Sequence, residues 1–156
     1  MASGWGRRMR VEMQKLMVNQ TPTTQTAWFA GLDTNTTVAD DASNVTASGT
    51  EPSSSNGYAR VAITWNTLTA YTSLTVDTAS VASNSGSLSW TSTAGGFSTG
   101  ATTLKSVTIW NTSTLATVAE TAFLGRAAIA VPQAVNAGGI TLTIAASGLT
   151  MGCISA

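Results

Sequence analysis

The pattern of apolar and polar positions changes character near residue 26. Before it, Met9, Met13, Leu16 and Met17 recur at i, i+4, i+7 and i+8, which is one face of a helix. Residues 8–18 are mostly good helix formers, so the spacing predicts a short helix there. About three turns of helix are marginal in isolation. This one must therefore dock, either on its own domain or on a neighbouring subunit. Pro22, between Thr21 and Thr23, marks its end.

Beyond residue 26 the period falls to two. Ala27–Leu32 is an apolar run of strand length, and Tyr58–Trp65 is the clearest strand. Residues 72–83 and 86–91 alternate weakly. Lys105–Trp110 alternates strictly, with Val107 and Ile109 on the face away from Thr108. Residues 115–124 and 127–131 read as further apolar strands, and Ile140–Ile144 alternates again. Gly95-Gly96, Gly100 and Val135–Gly139 supply turns. Short strands joined by turns predict an all-β fold, a single compact β-sandwich or barrel domain.

Residues 33–57 break that rhythm, with Val38 and Val45 as their only aliphatic residues larger than Ala or Pro. A long stretch without structure is unusual in a compact domain, so a functional or partner-packed polar loop is expected. The length of 156 residues fits one domain. The organisation expected is a basic N-terminal arm with a short helix over 1–25 and a β domain over 26–156.

Composition narrows the chemistry. Only 9% of residues are charged, against about a quarter in a typical soluble domain. Thr occurs 28 times and Ser 18 times, and the branched Thr side chain suits a pleated strand. With no His and one Cys, Cys153, the chain cannot build a His triad, a His metal site or a Cys-cluster site. Cys153, near Leu149, Met151 and Ile154, reads as a small buried apolar residue. Trp28, Trp65, Trp90 and Trp110 lie in expected strands and read as core.

Asp33-Thr34-Asn35-Thr36-Thr37 offers oxygen ligands, with Asp40-Asp41 close behind. Counted from Asp33, however, the sixth and twelfth positions of a calcium loop fall on Val38 and Asn44. No Gly-x-Ser-x-Gly elbow or phosphate loop occurs. Lys105, set in an alternating strand, reads as a solvated outward residue rather than a base. The expectation is therefore no enzyme, no metal and no cofactor. No run of 18 apolar residues suggests a membrane helix. Glu12, Gln14 and Lys15 interrupt what would be the apolar stretch of an export signal.

The net charge of zero conceals an asymmetry. Residues 1–18 carry Arg7, Arg8, Arg10 and Lys15 against Glu12, a balance of +3. Residues 19–156 carry Arg60, Lys105 and Arg126 against Asp33, Asp40, Asp41, Glu51, Asp77 and Glu120, a balance of −3. Trp5, Arg7, Arg8, Arg10 and Lys15 are expected to contact a partner, with Trp5 as an anchor in a pocket. An acidic protein surface is preferred to nucleic acid. So few cations, without interleaved aromatics, make a weak phosphate site. Arg60 reads as an intrachain or intersubunit ion-pair partner.

Thr50-Glu51-Pro52-Ser53 followed by Gly57-Tyr58-Ala59-Arg60-Val61-Ala62-Ile63-Thr64-Trp65 resembles a family of small tailed-bacteriophage structural proteins. Members are often labelled phage tail fibre protein, and the gene often lies beside that of the major capsid protein. The family's Val-Asn-Ala-Gly turn and final strand resemble Val135–Gly138 and Ile140–Ile144 here. The likeness spans about residues 8–150. The chain departs from the family pattern in its Arg-rich extension, its longer Ser/Thr-rich middle, and Gly138-Gly139 where Gly-Asp is usual. The resemblance implies family-motif residues at Gly57, Tyr58, Ala59, Arg60 and Trp65. It also implies a virion structural protein without catalytic residues. A short domain without repeats suits a capsid decoration (cement) protein on the outer capsid surface. Its partners would be the major capsid protein and itself, as a homotrimer, with no nucleic acid and no membrane. The alternative is a tail-tip or tail-fibre module that binds a host receptor.

Overall fold

The computed structural model describes residues 4–34, 51–52, 56–66, 81–93, 96–97, 102–115 and 122–152. Most of the 33–57 loop, Asp40-Asp41, residues 72–80, 116–121, Gly95, Gly100 and Cys153 lie outside the described residues. Among the described residues the chain is an all-β domain of antiparallel sheets with one short helix.

The elements are β1 (Gly4–Trp5), α1 (Arg7–Met17), β2 (Phe29–Asp33), β3 (Val61–Ala62), β4 (Val81–Ser83), β5 (Leu88–Thr91), β6 (Thr102–Trp110), β7 (Phe123–Val135), β8 (Thr141–Ile144) and β9 (Thr150–Gly152). A five-stranded sheet has the order β1-β7-β6-β2-β3, and two ribbons pair β4 with β9 and β5 with β8. One apolar face of the large sheet carries Ala30, Leu32, Val107, Ile109 and Leu124. These join Leu88 and Trp90 of β5 in one buried cluster, against which Leu142 and Ile144 of β8 pack. The outer face of that ribbon is polar: Ser89 faces Thr143 and Thr91 faces Thr141 across hydroxyl contacts of 3.0 and 2.9 Å.

The expected helix forms over Arg7–Met17. Met9 packs against the core, whereas Leu16, Met17 and Val18 stand exposed. Its polar side holds the next segment. The Thr23 N–H donates to Glu12 Oε2 at 2.6 Å, and Lys15 Nζ donates to the same carboxylate at 3.0 and 3.1 Å. The Thr23 amide and then the Lys15 ammonium hold Glu12 below the usual carboxylate range. The residues before the helix are not a detached arm. Gly4 pairs with Arg126 and Trp5 with Gly125 at the edge of the large sheet, and the Gly6 N–H donates to the Leu124 carbonyl at 2.8 Å.

Three strand expectations are revised. Only Val61–Ala62 of the 58–65 stretch pairs as a strand, with Trp65 forming an isolated bridge to Asn84. Side-chain bonds from Tyr58 and Arg60 take over where that ladder stops. Residues 116–121 lie outside the described residues, and one strand, Phe123–Val135, takes in the end of the 115–124 run and the whole of 127–131. Arg126, which breaks the apolar run in the sequence, is buried within it and ion-paired to Asp33. Lys105 is half-buried rather than outward, at a register irregularity between Leu104 and Ser106.

Candidate functional site

The alternation in β6 is real, but both of its faces are buried. Residues directly opposite in an antiparallel ladder share a face. Gly31, Thr108 and Arg126 are opposite one another, and so are Asp33, Ser106 and Ala128. Asp33, Ser106, Thr108 and Arg126 are all buried. The second face of the sheet is thus a buried polar layer. Across it the Arg126 guanidinium is bonded to the Asp33 carboxylate, with both side chains almost fully out of solvent. Asp33, which opens the candidate calcium loop in the sequence, is engaged by this cation instead. Among the described residues no group of three or more acidic or Cys side chains could hold a metal ion.

The Gly-Tyr-Ala-Arg segment builds the other half of this layer. Tyr58 and Arg60 are two residues apart and both reach Glu51. Arg60 Nε and Nη2 form a bidentate pair with Glu51 Oε1 and Oε2 at 2.9 and 2.7 Å. Its Nη1 donates to the carbonyls of Thr112 and Thr114, each at 3.1 Å. Its guanidinium carbon lies 3.7 Å from the centre of the Trp110 ring. Desolvated cation–π contacts of this type are worth about 2 kcal/mol, and bidentate charge-assisted bonds are the strong kind. One buried cation therefore ties together Glu51, the strand end at Trp110 and the turn after it.

The Tyr58 hydroxyl donates to Glu51 Oε1 at 2.7 Å and accepts from the Leu32 N–H at 2.7 Å. It replaces the ladder partner that β2 loses where β3 ends. Burial first, and then the Glu51 charge, push the Tyr58 phenol far above its usual range, so it stays a protonated donor. Beneath the clasp lies Gly31. A Cβ there would fall 2.6 Å from Glu51 Oε1, 2.7 Å from Thr108 Oγ1 and 3.0 Å from the Tyr58 hydroxyl. The carboxylate fits over the sheet only because that side chain is missing. Thr108 Oγ1 accepts from Trp110 Nε1 at 2.9 Å, which fixes the ring under Arg60.

The remaining motif residues have simpler roles. Gly57 has φ +79°, a left-handed conformation that suits glycine. Ala59 is exposed between its two clasping neighbours. Trp65 is half-buried and meets Trp28 edge-on, with ring centres 5.8 Å apart. Arg60 is thus an intrachain ion-pair partner.

The N-terminal candidates are not gathered at one point. The main chain of Trp5 lies in β1, Arg7 opens the helix, Arg8 is half-buried, Arg10 is exposed and Lys15 is bonded to Glu12. Sequence reasoning missed Glu51 as the centre of the clasp, Gly31 as its seat and the Asp33–Arg126 pair. The only signal available for Glu51 was its place ahead of the Tyr-x-Arg spacing. It also missed Asn84, which is buried and takes the Leu149 N–H at 2.8 Å while donating to the carbonyls of Gly86 and Ala145.

No protein-family model matches the chain, and a search of curated proteins finds no match.

Proposed function

We propose that this protein is a virion structural protein, a capsid decoration protein that binds the outer capsid lattice and stabilises it as a trimer. It works by holding, without chemistry. Three things support this reading: the likeness of the Glu51 and Gly-Tyr-Ala-Arg segment to small tailed-phage structural proteins, the rigid clasp those residues form, and an exposed apolar helix end. The last carries it. Leu16, Met17 and Val18 form a consecutive apolar run in solvent, which a domain acting alone has no reason to keep. The clasp residues are internal fasteners, so among the described residues the apolar surface left for contacts with other proteins is chiefly that of the N-terminal elements.

A tail-tip or tail-fibre module for receptor binding is the second reading, favoured by the label common in that family. Immunogold labelling of virions separates the two. Label over the head is expected. Label confined to the tail tip overturns the decoration reading and supports the alternative.

A further inference from the structure

The ribbon of β5 and β8 has one open edge. In its ladder Leu88 faces Ile144, Trp90 faces Leu142 and Thr91 faces Thr141. One step on, the Ser92 N–H donates to the Ile140 carbonyl at 2.9 Å, so Ile140 turns its main chain toward β5. In an antiparallel pair, residues that turn toward the partner alternate with residues that turn away. Leu142 and Ile144 therefore turn toward β5, and Thr141 and Thr143 direct their N–H and C=O groups away from it. Among the described residues no strand pairs with β8 on that side, and Thr141 and Thr143 are exposed. The opposite edge of the ribbon is bordered by chain, where the Thr93 N–H donates to the Asn56 carbonyl at 3.1 Å.

The side chains of β8 are incomplete in the same way. Leu88 and Trp90 of β5 are buried, whereas Ile140, Leu142 and Ile144, which pack against the same core, are only half-buried. Natural sheets blunt an open edge with charged residues or proline. Here residues 127–156 contain no Asp, Glu, Lys or Arg, and residues 133–156 contain no Pro.

The sequence of the edge favours a second copy as its occupant. Ile140-Thr141-Leu142-Thr143-Ile144 reads the same in both directions. Laid antiparallel on itself with Leu142 opposite Leu142, the strand puts Thr141 opposite Thr143 and Ile140 opposite Ile144. Every side chain then meets its like. Thr141 and Thr143 are the residues whose main chains turn outward, so each of their N–H and C=O groups finds a partner in the other copy. Their hydroxyls come side by side, as those of Thr91 and Thr141 already do within the ribbon, and such cross-strand pairs stabilise a sheet. The half-buried Leu142 side chains cover one another, and no charge is brought against a like charge.

We propose that β8 of one copy pairs antiparallel with β8 of a second copy of this chain about a two-fold axis at Leu142, joining two ribbons into one sheet of order β5-β8-β8-β5. The contact is isologous, the same surface on both copies. It is separate from the three-fold contact of the trimer invoked above and does not rest on the decoration reading.

Two experiments test it on the full chain. In the first, Leu142→Cys, Thr141→Cys and Thr143→Cys are made separately in a Cys153→Ser background and oxidised. Leu142 meets its own counterpart at a position where Cα atoms lie about 4.5 Å apart, within the span of a disulfide. Leu142→Cys alone is expected to give a covalent dimer. Thr141→Cys and Thr143→Cys are expected to link when mixed and not singly. A Leu142→Cys chain that stays monomeric, or single threonine variants that link as well as their mixture, overturns the pairing. In the second, amide hydrogen exchange is followed in the wild-type chain over a range of concentrations. The Thr141 and Thr143 amides should gain protection of about tenfold or more as the chain is concentrated, and Thr143→Lys, which puts a charge on the edge, should abolish the gain at Thr141. Amides at 141 and 143 that exchange freely at every concentration, or a gain that survives Thr143→Lys, refute the proposal.

Discussion

Glu51→Gln is the sharpest perturbation of the clasp, because it keeps the shape and removes the charge. Arg60 has no exposed side-chain surface, and Glu51 only 10%. In the variant the guanidinium stays buried over Trp110. One of its two contacts, at 2.9 and 2.7 Å, becomes an N–H facing an N–H. Removing one partner of a buried pair costs about 3–5 kcal/mol, since the remaining charge is uncompensated. Gln keeps one oxygen for Arg60 or Tyr58, so the low end, about 3 kcal/mol, is expected. For a chain of this size that is about 6–12 °C in Tm, at about 2–4 °C per kcal/mol. Urea denaturation of Glu51→Gln, Arg60→Met and the double variant completes a double-mutant cycle. The double variant should lose less than the two single losses combined, with a coupling of about 2 kcal/mol or more. A loss below about 1 kcal/mol for Glu51→Gln, with coupling near zero, would refute the clasp as a buried fastener.

Other outcomes follow from the same layer. Tyr58→Phe should weaken the fold by about 1–3 kcal/mol at neutral pH, because Glu51 and the Leu32 N–H each lose a partner. Its pH dependence has a definite sign. Tyr58 stays protonated in the folded state, whereas an unfolded tyrosine ionises near its ordinary pKa of 10.0. The native state therefore holds the extra proton, and stability is intact below pH 10 and falls above it, by about 1.4 kcal/mol per pH unit. Denaturation midpoints at pH 9 and pH 11 should show that slope shrinking in Tyr58→Phe. Gly31→Ala should cost about 1–3 kcal/mol by driving a methyl group into Glu51 and Thr108, and a Tm equal to wild type would contradict the close approach. Asp33→Asn should destabilise by about 3 kcal/mol or more in chemical unfolding, while Asp33→Leu combined with Arg126→Met should recover much of that loss.

How much of this was legible in the sequence depends on what each residue's signal measures. The helix was readable because Met9, Met13 and Leu16 obey a helical period, and it forms over Arg7–Met17. The strand around Phe29 was readable as an apolar run of strand length, and those around Leu88, Val107 and Thr141 because alternation survives in them. Alternation reports that two faces differ, not that one meets water. Ser106 and Thr108, on the face away from Val107 and Ile109, are buried as fully as that apolar face. Arg126 was opaque for the same reason. A charged residue in an apolar run reads as a break, and only the arrival of Asp33 from 93 positions away makes it a core residue. The clasp escaped because Glu51 is fixed by contacts across the fold, which leave no local pattern. The exposure of Leu16 and Met17 was equally hidden, since periodicity places residues on a face without saying where the underlying body ends.

The most direct test of the central claim is the melting of purified capsids with and without this protein bound at saturation. Binding that favours the assembled lattice must raise its transition temperature. Cosedimentation with capsids and an upward shift are predicted, with both diminished by Met17→Glu. Capsids that take up no protein and melt at an unchanged temperature would contradict the account.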